Sequence, residues 1–275
     1  MGSLFSGIGG LELGLEAALG AETIWQVENN PYARAVLERH WPNVRRYEDV
    51  GAVGRHTLEP VELILGGFPC QGASAAGKRK GLEDERSGLW FEYARIIREL
   101  EPRWVVIENV PGLSSRGLDQ VLGSLATLRY DAVWECLSAA AVGAPHIRDR
   151  LFIIAWKEMA NAHGEGELQE GGSEREERRR AGNSGEEANV ADAHLTGLEE
   201  REGERRSFPP ELSSALRACG EGRAQWLVEP ELGRVAHGVR NRVDRLRCLG
   251  NAVVPQCSYV IGMWLLQIKQ WLEEQ

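Results

Sequence analysis

The sequence predicts an α/β fold, a mostly parallel sheet with helices on both faces. Stretches with strand character alternate with stretches of helical spacing over residues 1–157. Several of the strand candidates are apolar throughout, as strands covered on both faces must be. A glycine-rich turn separates the first strand from the first helix.

In chain order, Gly2 to Phe5 reads as a very short strand and Gly7-Ile8-Gly9-Gly10 as the turn after it. Leu11 to Leu19 is a helix, because Leu11, Leu15, Ala18 and Leu19 fall on one face. Thr23 to Val27 is a second strand, and Pro31 opens a helix to about His40, since proline suits the first helical turn. Glu62 to Leu65 is a buried strand ending at Gly66-Gly67. Leu89 to Leu100 is a helix, Arg103 to Ile107 a β-branched strand and Leu118 to Leu128 a helix. Strands follow near Ala132 to Leu137 and Leu151 to Trp156. Val253 to Leu272 is a final helix whose start Pro255 restricts.

A length of 275 residues suits one large domain or two smaller ones, and 43% hydrophobic with 27% charged residues excludes wholesale disorder and collagen-like repeats. The longest apolar run near the C-terminus, Tyr259 to Leu266, is far short of the roughly 20 residues that span a bilayer, so no membrane partner is expected. No basic segment followed by an apolar stretch opens the chain, so no export signal is expected either. The five cysteines (Cys70, Cys136, Cys219, Cys248 and Cys257) are scattered, with no CxxC pair. That spacing argues against a disulfide framework and a zinc site, and for a reducing, cytoplasmic setting with no metal.

The formal net charge of −9 argues, as a single figure, against a nucleic-acid partner. Partitioning it reverses the inference. Residues 1–157 carry −3, 158–206 carry −7, 207–247 carry +2 and 248–275 carry −1. The acidic stretch has no Trp, Tyr, Phe or Ile between Asn161 and Arg206, so burial there cannot offset the entropy of ordering. It reads as a flexible insertion. A weak echo, Ala160-Asn161-Ala162-His163-Gly164 and Ala191-Asp192-Ala193-His194-Leu195, is too short for a solenoid, and His163 and His194 have no supporting metal-ligand pattern.

Chemistry-bearing residues recur at strand ends. In Phe5-Ser6-Gly7-Ile8-Gly9-Gly10 the glycines let a ligand approach the backbone closely. Glu28 ends the second strand, where a carboxylate can accept hydrogen bonds from ribose hydroxyls, and Asp49, after Tyr47-Glu48, could meet an adenine edge. Gly66-Gly67-Phe68-Pro69-Cys70-Gln71-Gly72 places a cysteine just past a buried strand. Free cysteines are more often buried hydrophobes, but flanking glycines and the basic run Lys78-Arg79-Lys80 favour a nucleophile. Glu108 and Asn109 follow the strand Arg103 to Ile107. Arg148 and Arg150, at i and i+2 before an apolar strand, point the same way if extended. Gly250-Asn251-Ala252-Val253-Val254-Pro255 is the last such segment.

The ordered set FSGIGG, VEN, ED, PCQ, ENV, RDR and GNAVVP resembles the C5-cytosine DNA methyltransferases, from Leu4 to about Trp156 and again from Arg240 to the C-terminus. The resemblance implies a Rossmann-like S-adenosylmethionine-dependent methyltransferase sheet plus a small irregular target-recognition region. It implies that Phe5, Gly7, Ile8, Gly10, Glu28, Asp49, Pro69 and Asn251 contact S-adenosylmethionine. Cys70 is implied as nucleophile, Glu108 as the partner of N3 and the exocyclic amine of cytosine, and Arg148 and Arg150 as holding its O2 side and the pocket. Gln71, Ser74, Lys78, Arg79 and Lys80, in a glycine-rich segment able to close over the substrate, are implied DNA contacts.

Departures from the family pattern are visible too. His146 stands where glutamine is common, and the first strand is short. Residues 207–247 form a reduced recognition region, with residues 248–275 returning to the catalytic domain of residues 1–157. There Arg240, Arg242 and Arg245, with Trp226 and His237, are candidate DNA contacts, while Val243 and Leu246 equally suit packing between the regions. The implied partner is double-stranded DNA, the expected state a monomer, and a cognate restriction endonuclease a candidate partner in a bacterial or phage-infected cell. An RNA cytosine-5 methyltransferase and a catalytically silent DNA-binding relative are the alternatives.

Overall fold

A computed structural model describes residues 1–69, 88–157, 209–218 and 241–275. Within them, β1 (Gly2–Leu4), β2 (Trp25–Val27), β3 (Arg45–Tyr47), β4 (Leu63–Gly66), β5 (Trp104–Asn109), β6 (Asp131–Ser138) and β7 (Asp149–Trp156) form a seven-stranded sheet in the order β3-β2-β1-β4-β5-β7-β6. The first five pair in parallel, and β7 runs antiparallel between β5 and β6. The chain steps outward from β1 to β3, then resumes on the other side of β1 with β4. The crevice between β1 and β4 is therefore the topological switch point, where open α/β sheets bind ligands beyond the carboxyl ends of their strands.

Alternation along the strands fills a core on each face. In β5, Val105 and Ile107 join one apolar cluster with Trp90, Tyr93, Ile96 and Ile97 of α3 (Gly88–Leu100) and Val121 and Leu125 of α4 (Leu118–Thr127). Trp104 and Val106 join the other, with Leu11 and Leu15 of α1 (Gly10–Leu19) and the buried side of α7 (Pro255–Glu273). At about 25 cal/mol per Å² of apolar surface removed from water, these two layers dominate the stability of the sheet.

Contact between α1 and α7 depends on small residues. A Cβ on Gly14 would lie 2.2 Å from the Pro255 carbonyl oxygen, and one on Gly262 would lie 2.5 Å from the Ala18 Cβ. The Ser258 hydroxyl donates to the Gly10 carbonyl at 3.0 Å. Two elements nearly a whole chain apart in sequence are thus fastened directly behind the glycine turn.

The expected elements are present with small shifts at their ends. Helix α2 (Pro31–His40) starts at its proline and is capped by Asn30, whose side chain accepts from the backbone of Tyr32 and Ala33. Strand β5 continues through Glu108 and Asn109, two residues beyond the expected end, because β7 pairs with it there. Strand β3 had no apolar signal, since Arg45-Arg46-Tyr47 lies at a sheet edge. Helices α5 (Leu212–Ala218) and α6 (Arg242–Asn251) were not expected either.

Leu212 and Ala215, inside the stretch assigned from sequence to target recognition, are buried against α7. There Trp264 Nε1 donates to the Pro210 carbonyl, and the Ser214 hydroxyl to Gln267 Oε1 at 2.7 Å. The stretch Val243–Glu273 is, by length and composition alone, long and apolar enough to cross a membrane, although no single apolar run in it is. Ala252 to Val254 divide it into α6 and α7, and Val260, Ile261, Trp264, Leu265 and Ile268 lie in the core.

Candidate active site

The glycine turn leaves β1 with a backbone that only special residues tolerate. Phe5 has φ 55, Gly7 φ 58 and Gly9 φ 87. A non-glycine residue in the left-handed region costs roughly 1–2 kcal/mol, and such strain concentrates at ligand sites. The turn is braced by backbone bonds from Ser6 N to the Val27 carbonyl and from Gly9 N to the Ser6 carbonyl. Nothing lies within 4 Å of the position a Cβ on Gly7 would take, so the backbone there faces open space.

Glu28 follows β2 beside this turn. Its Oε2 accepts from Gly7 N and its Oε1 from Asn30 N, both at 2.8 Å. These two bonds fix the carboxylate and leave lone pairs on each oxygen for a ligand's hydroxyl groups. Asp49 stands at the end of β3 and accepts from Gly51 N at 2.9 Å, capping a 3-10 turn with an exposed side chain. Pro69 is exposed beyond the end of β4.

A small cavity at the switch point, about 50 Å³, is lined by Phe5, Gly7, Ile8 and Gly10 from the turn, Gly66 at the end of β4 and Gly67 after it, Glu108 from β5 and Asn251 from α6. Four expected cofactor residues of the turn therefore share one wall system with Glu108 and Asn251. Glu108 is 8% exposed, and burial pushes its carboxyl up to about 7 despite the opposing charges of Arg150 and Arg148. Arg150 Nε pairs with Glu108 Oε1 at 2.8 Å. A Cβ on Gly67 would lie 2.5 Å from Glu108 Oε2, so glycine there makes room for the carboxylate. A carboxyl poised near neutrality can donate a proton or hold a strong hydrogen bond to a ring nitrogen.

Arg148 behaves differently from Arg150. Its Nη2 donates to the carbonyls of Gly250 at 2.9 Å and Ala252 at 2.6 Å, while its Nε is buried without a partner. Arg148 lies just ahead of β7, which begins at Asp149, and both arginines act electrostatically on Glu108, although only Arg150 pairs with it. Arg148 thus holds the Gly250–Val254 segment against the site. It also borders a larger apolar cleft of about 410 Å³ with Ile8, Leu13, Ile147, Leu249 and Val253.

Several expected site residues lie outside the described residues: Cys70, Gln71, Ser74, Lys78, Arg79, Lys80, Arg240, Trp226 and His237, together with His163, His194 and the expected insertion of residues 158–206. Arg242 belongs to α6, on which Arg245, Val243 and Leu246 are exposed. Among the described cysteines, Cys136, Cys248 and Cys257 are free, and burial pushes each thiol up, Cys257 to about 11. None of these three offers a thiolate at neutral pH.

Asn109 was marked at a strand end from the sequence without a role, and Glu12 escaped sequence reasoning. Asn109 donates from Nδ2 to the Phe68 carbonyl at 3.0 Å, anchoring the chain just ahead of Pro69. Glu12, fully buried in α1, lines the same cavity as Glu108. Its signal was a carboxylate directly beside Leu11, next to the apolar face of the helix.

Fold and site together define a Rossmann-like α/β protein with a ligand site at the switch point of its sheet. A solved structure of the Entamoeba histolytica methyltransferase EhMeth has the same fold, with a TM-score of 0.50 and 20% identity over 57% of this chain and 52% of that one. The profile of the C-5 cytosine-specific DNA methylases matches residues 1–204, and the chain belongs to that family. It is 35% identical to the Type II methyltransferase M.HhaI of Haemophilus parahaemolyticus over 162 residues, 58% of this chain and 49% of that protein. With M.AquIA of Picosynechococcus it shares 34% identity over 173 residues, 55% of this chain and 69% of that protein. The chain spans about half the length of M.HhaI.

The family takes its methyl group from S-adenosylmethionine. The residues present fit that donor: an open backbone cradle at Gly7, a fixed carboxylate at Glu28 for hydroxyl groups, and a neighbouring cavity reaching Glu108.

Proposed function

We propose that the chain is a DNA (cytosine-5-)-methyltransferase acting on a cytosine flipped out of double-stranded DNA. The observation that carries this reading is the buried Glu108, paired with half-buried Arg150 and lining one cavity with the glycine turn. Phe5, Gly7, Ile8, Gly10, Glu28, Asp49, Pro69 and Asn251 would hold S-adenosylmethionine, whose sulfonium supplies an electrophilic methyl group.

C5 of cytosine is a poor nucleophile. The thiolate of Cys70 would add to C6, pushing electrons toward C5, while Glu108 hydrogen-bonds or protonates N3 and stabilises the developing charge. Arg150, fixed by Glu108, would orient the base through its O2 side. C5 then accepts the methyl group, and loss of the C5 proton expels Cys70 and restores the ring. Reaching the base requires flipping, at a cost of a few kcal/mol. Lys78, Arg79, Lys80, Arg240, Arg242 and Arg245, with Gln71 and Ser74, would meet the DNA, making binding salt-sensitive. We place the enzyme in the cytoplasm of a bacterial or phage-infected cell, as a monomer, with a cognate endonuclease as partner.

Bisulfite sequencing of plasmid DNA from expressing cells tests the reading and should reveal one methylated cytosine context, absent with Cys70→Ala. Label transferred from tritiated donor to tRNA but not duplex DNA would replace DNA by RNA as substrate. Folded protein that binds donor and DNA but methylates neither would make it a silent relative.

A further inference from the structure

The cavity at the switch point is lined by two buried carboxylates, and they are neutralised differently. Glu108 has Arg150 at 2.8 Å. Glu12, with no solvent exposure, receives a hydrogen bond from the Ser3 hydroxyl on Oε1 at 2.6 Å, and Ser3 in turn accepts one from the Ser6 hydroxyl at 2.7 Å. Glu12 Oε2 has no partner, and no Lys, Arg or His pairs with this carboxylate among the described residues. A buried carboxylate without a cation is costly, and a nearby positive charge would relieve the cost.

We infer that Glu12 is the specificity-determining anion of the donor pocket, favouring a cationic sulfonium ligand over the neutral thioether left after transfer. The inference rests on the reading of this cavity as the S-adenosylmethionine pocket. Ser6 belongs to the glycine turn itself, so the Ser6–Ser3–Glu12 chain connects the ligand cradle to the buried charge. Other walls supply no substitute. Ser3 and Gln26 on the neighbouring strands are neutral, Glu16 one turn along α1 adds negative charge, and Cys257 on α7 stays protonated. Arg148 and Arg150 of β7 are engaged with backbone carbonyls and with Glu108.

The chemistry has a proton consequence. Burial pushes the Glu12 carboxyl up to about 7, so near neutral pH much of it is protonated. A bound cation favours the ionised form, and the proton passes to solvent. Conversion of the ligand to a neutral thioether removes that stabilisation, and the carboxylate takes a proton back. Donor binding and product release are thus driven in opposite directions by one side chain.

Calorimetric titration of the full chain with S-adenosylmethionine and, separately, S-adenosylhomocysteine tests this, in buffers of different ionisation enthalpy between pH 6 and 8. The wild-type chain should release protons with the first ligand and not with the second. In Glu12→Gln, which keeps the acceptor for Ser3, the preference for the sulfonium should fall about tenfold, the equivalent of roughly one pKa unit, with thioether affinity retained. An unchanged ratio would overturn the inference and leave the pocket reading intact. Equal weakening of both ligands would make Glu12 a structural strut and also overturn it. If Glu12→Gln does not fold, the wild-type measurement decides, since equal proton exchange with both ligands overturns the idea. Binding of neither ligand by folded wild-type chain would instead remove the pocket reading.

Discussion

Arg150 Nε lies 2.8 Å from Glu108 Oε1, while Arg148, two residues earlier, reaches to the carbonyls of Gly250 and Ala252. One arginine serves the buried carboxyl and the other a segment about a hundred residues away in sequence. Their substitutions should therefore fail in different ways.

Arg150→Ala leaves Glu108 buried without its cation, and the proposed chemistry loses both orientation of the base and control of the carboxyl. We expect the methyl-transfer rate to fall by roughly 10²-fold or more, with donor affinity nearly unchanged. Single-turnover rates and equilibrium donor binding, measured on one preparation, check the split.

Arg148→Ala frees the Gly250–Val254 segment, which carries Asn251 at the cavity wall. The expected result is a donor KM raised about tenfold and a smaller loss in kcat, with Arg148→Lys intermediate because one ammonium cannot match the planar fork of a guanidinium. A larger effect on kcat than on KM would contradict the assignment.

The glycines separate backbone effects from packing effects. Gly7 sits at φ 58 with open space around it, so Gly7→Ala should cost only the left-handed conformation, roughly 1–2 kcal/mol. Gly14→Ala would place a methyl 2.2 Å from the Pro255 carbonyl oxygen and force α1 from α7, costing about 3 kcal/mol. Denaturant midpoints of the two variants should differ accordingly.

Much of this was legible in the sequence, for identifiable reasons. Apolar runs marked β4, β5 and β7 because those strands are covered on both faces. Strand β3 was hidden because an edge strand of Arg45, Arg46 and Tyr47 buries little. Motif order brought Glu108, Gly7 and Asn251 into one expected site, and one cavity holds all three. The partners of Arg148, the carbonyls of Gly250 and Ala252, could not be read from i, i+2 spacing, since they lie about a hundred residues away in sequence. Helix α5 was missed because seven residues carry too little periodicity, and its docking on α7 is purely tertiary.

Stability should depend on pH through Glu12. Its folded-state carboxyl is raised by burial from an ordinary 4.5 to about 7, so the native state holds this proton more tightly than the unfolded chain. The resulting contribution is complete below about 4.5 and is lost as pH rises through about 7, by an order of ~3 kcal/mol. Thermal melts between pH 5 and 8 should fall for the wild-type chain. The slope should be shallower for Glu12→Gln.

The hydrogen bond from Ser258 to the Gly10 carbonyl, with α7 packed behind α1, has a consequence for biosynthesis. The ligand cradle is written within the first ten residues, yet its rear support is translated some 250 residues later. A growing polypeptide on the ribosome therefore carries an unsupported cradle until the distal helix, some 250 residues downstream, emerges and packs. The turn is thus made early but gains its support only when a helix encoded far downstream has packed behind it.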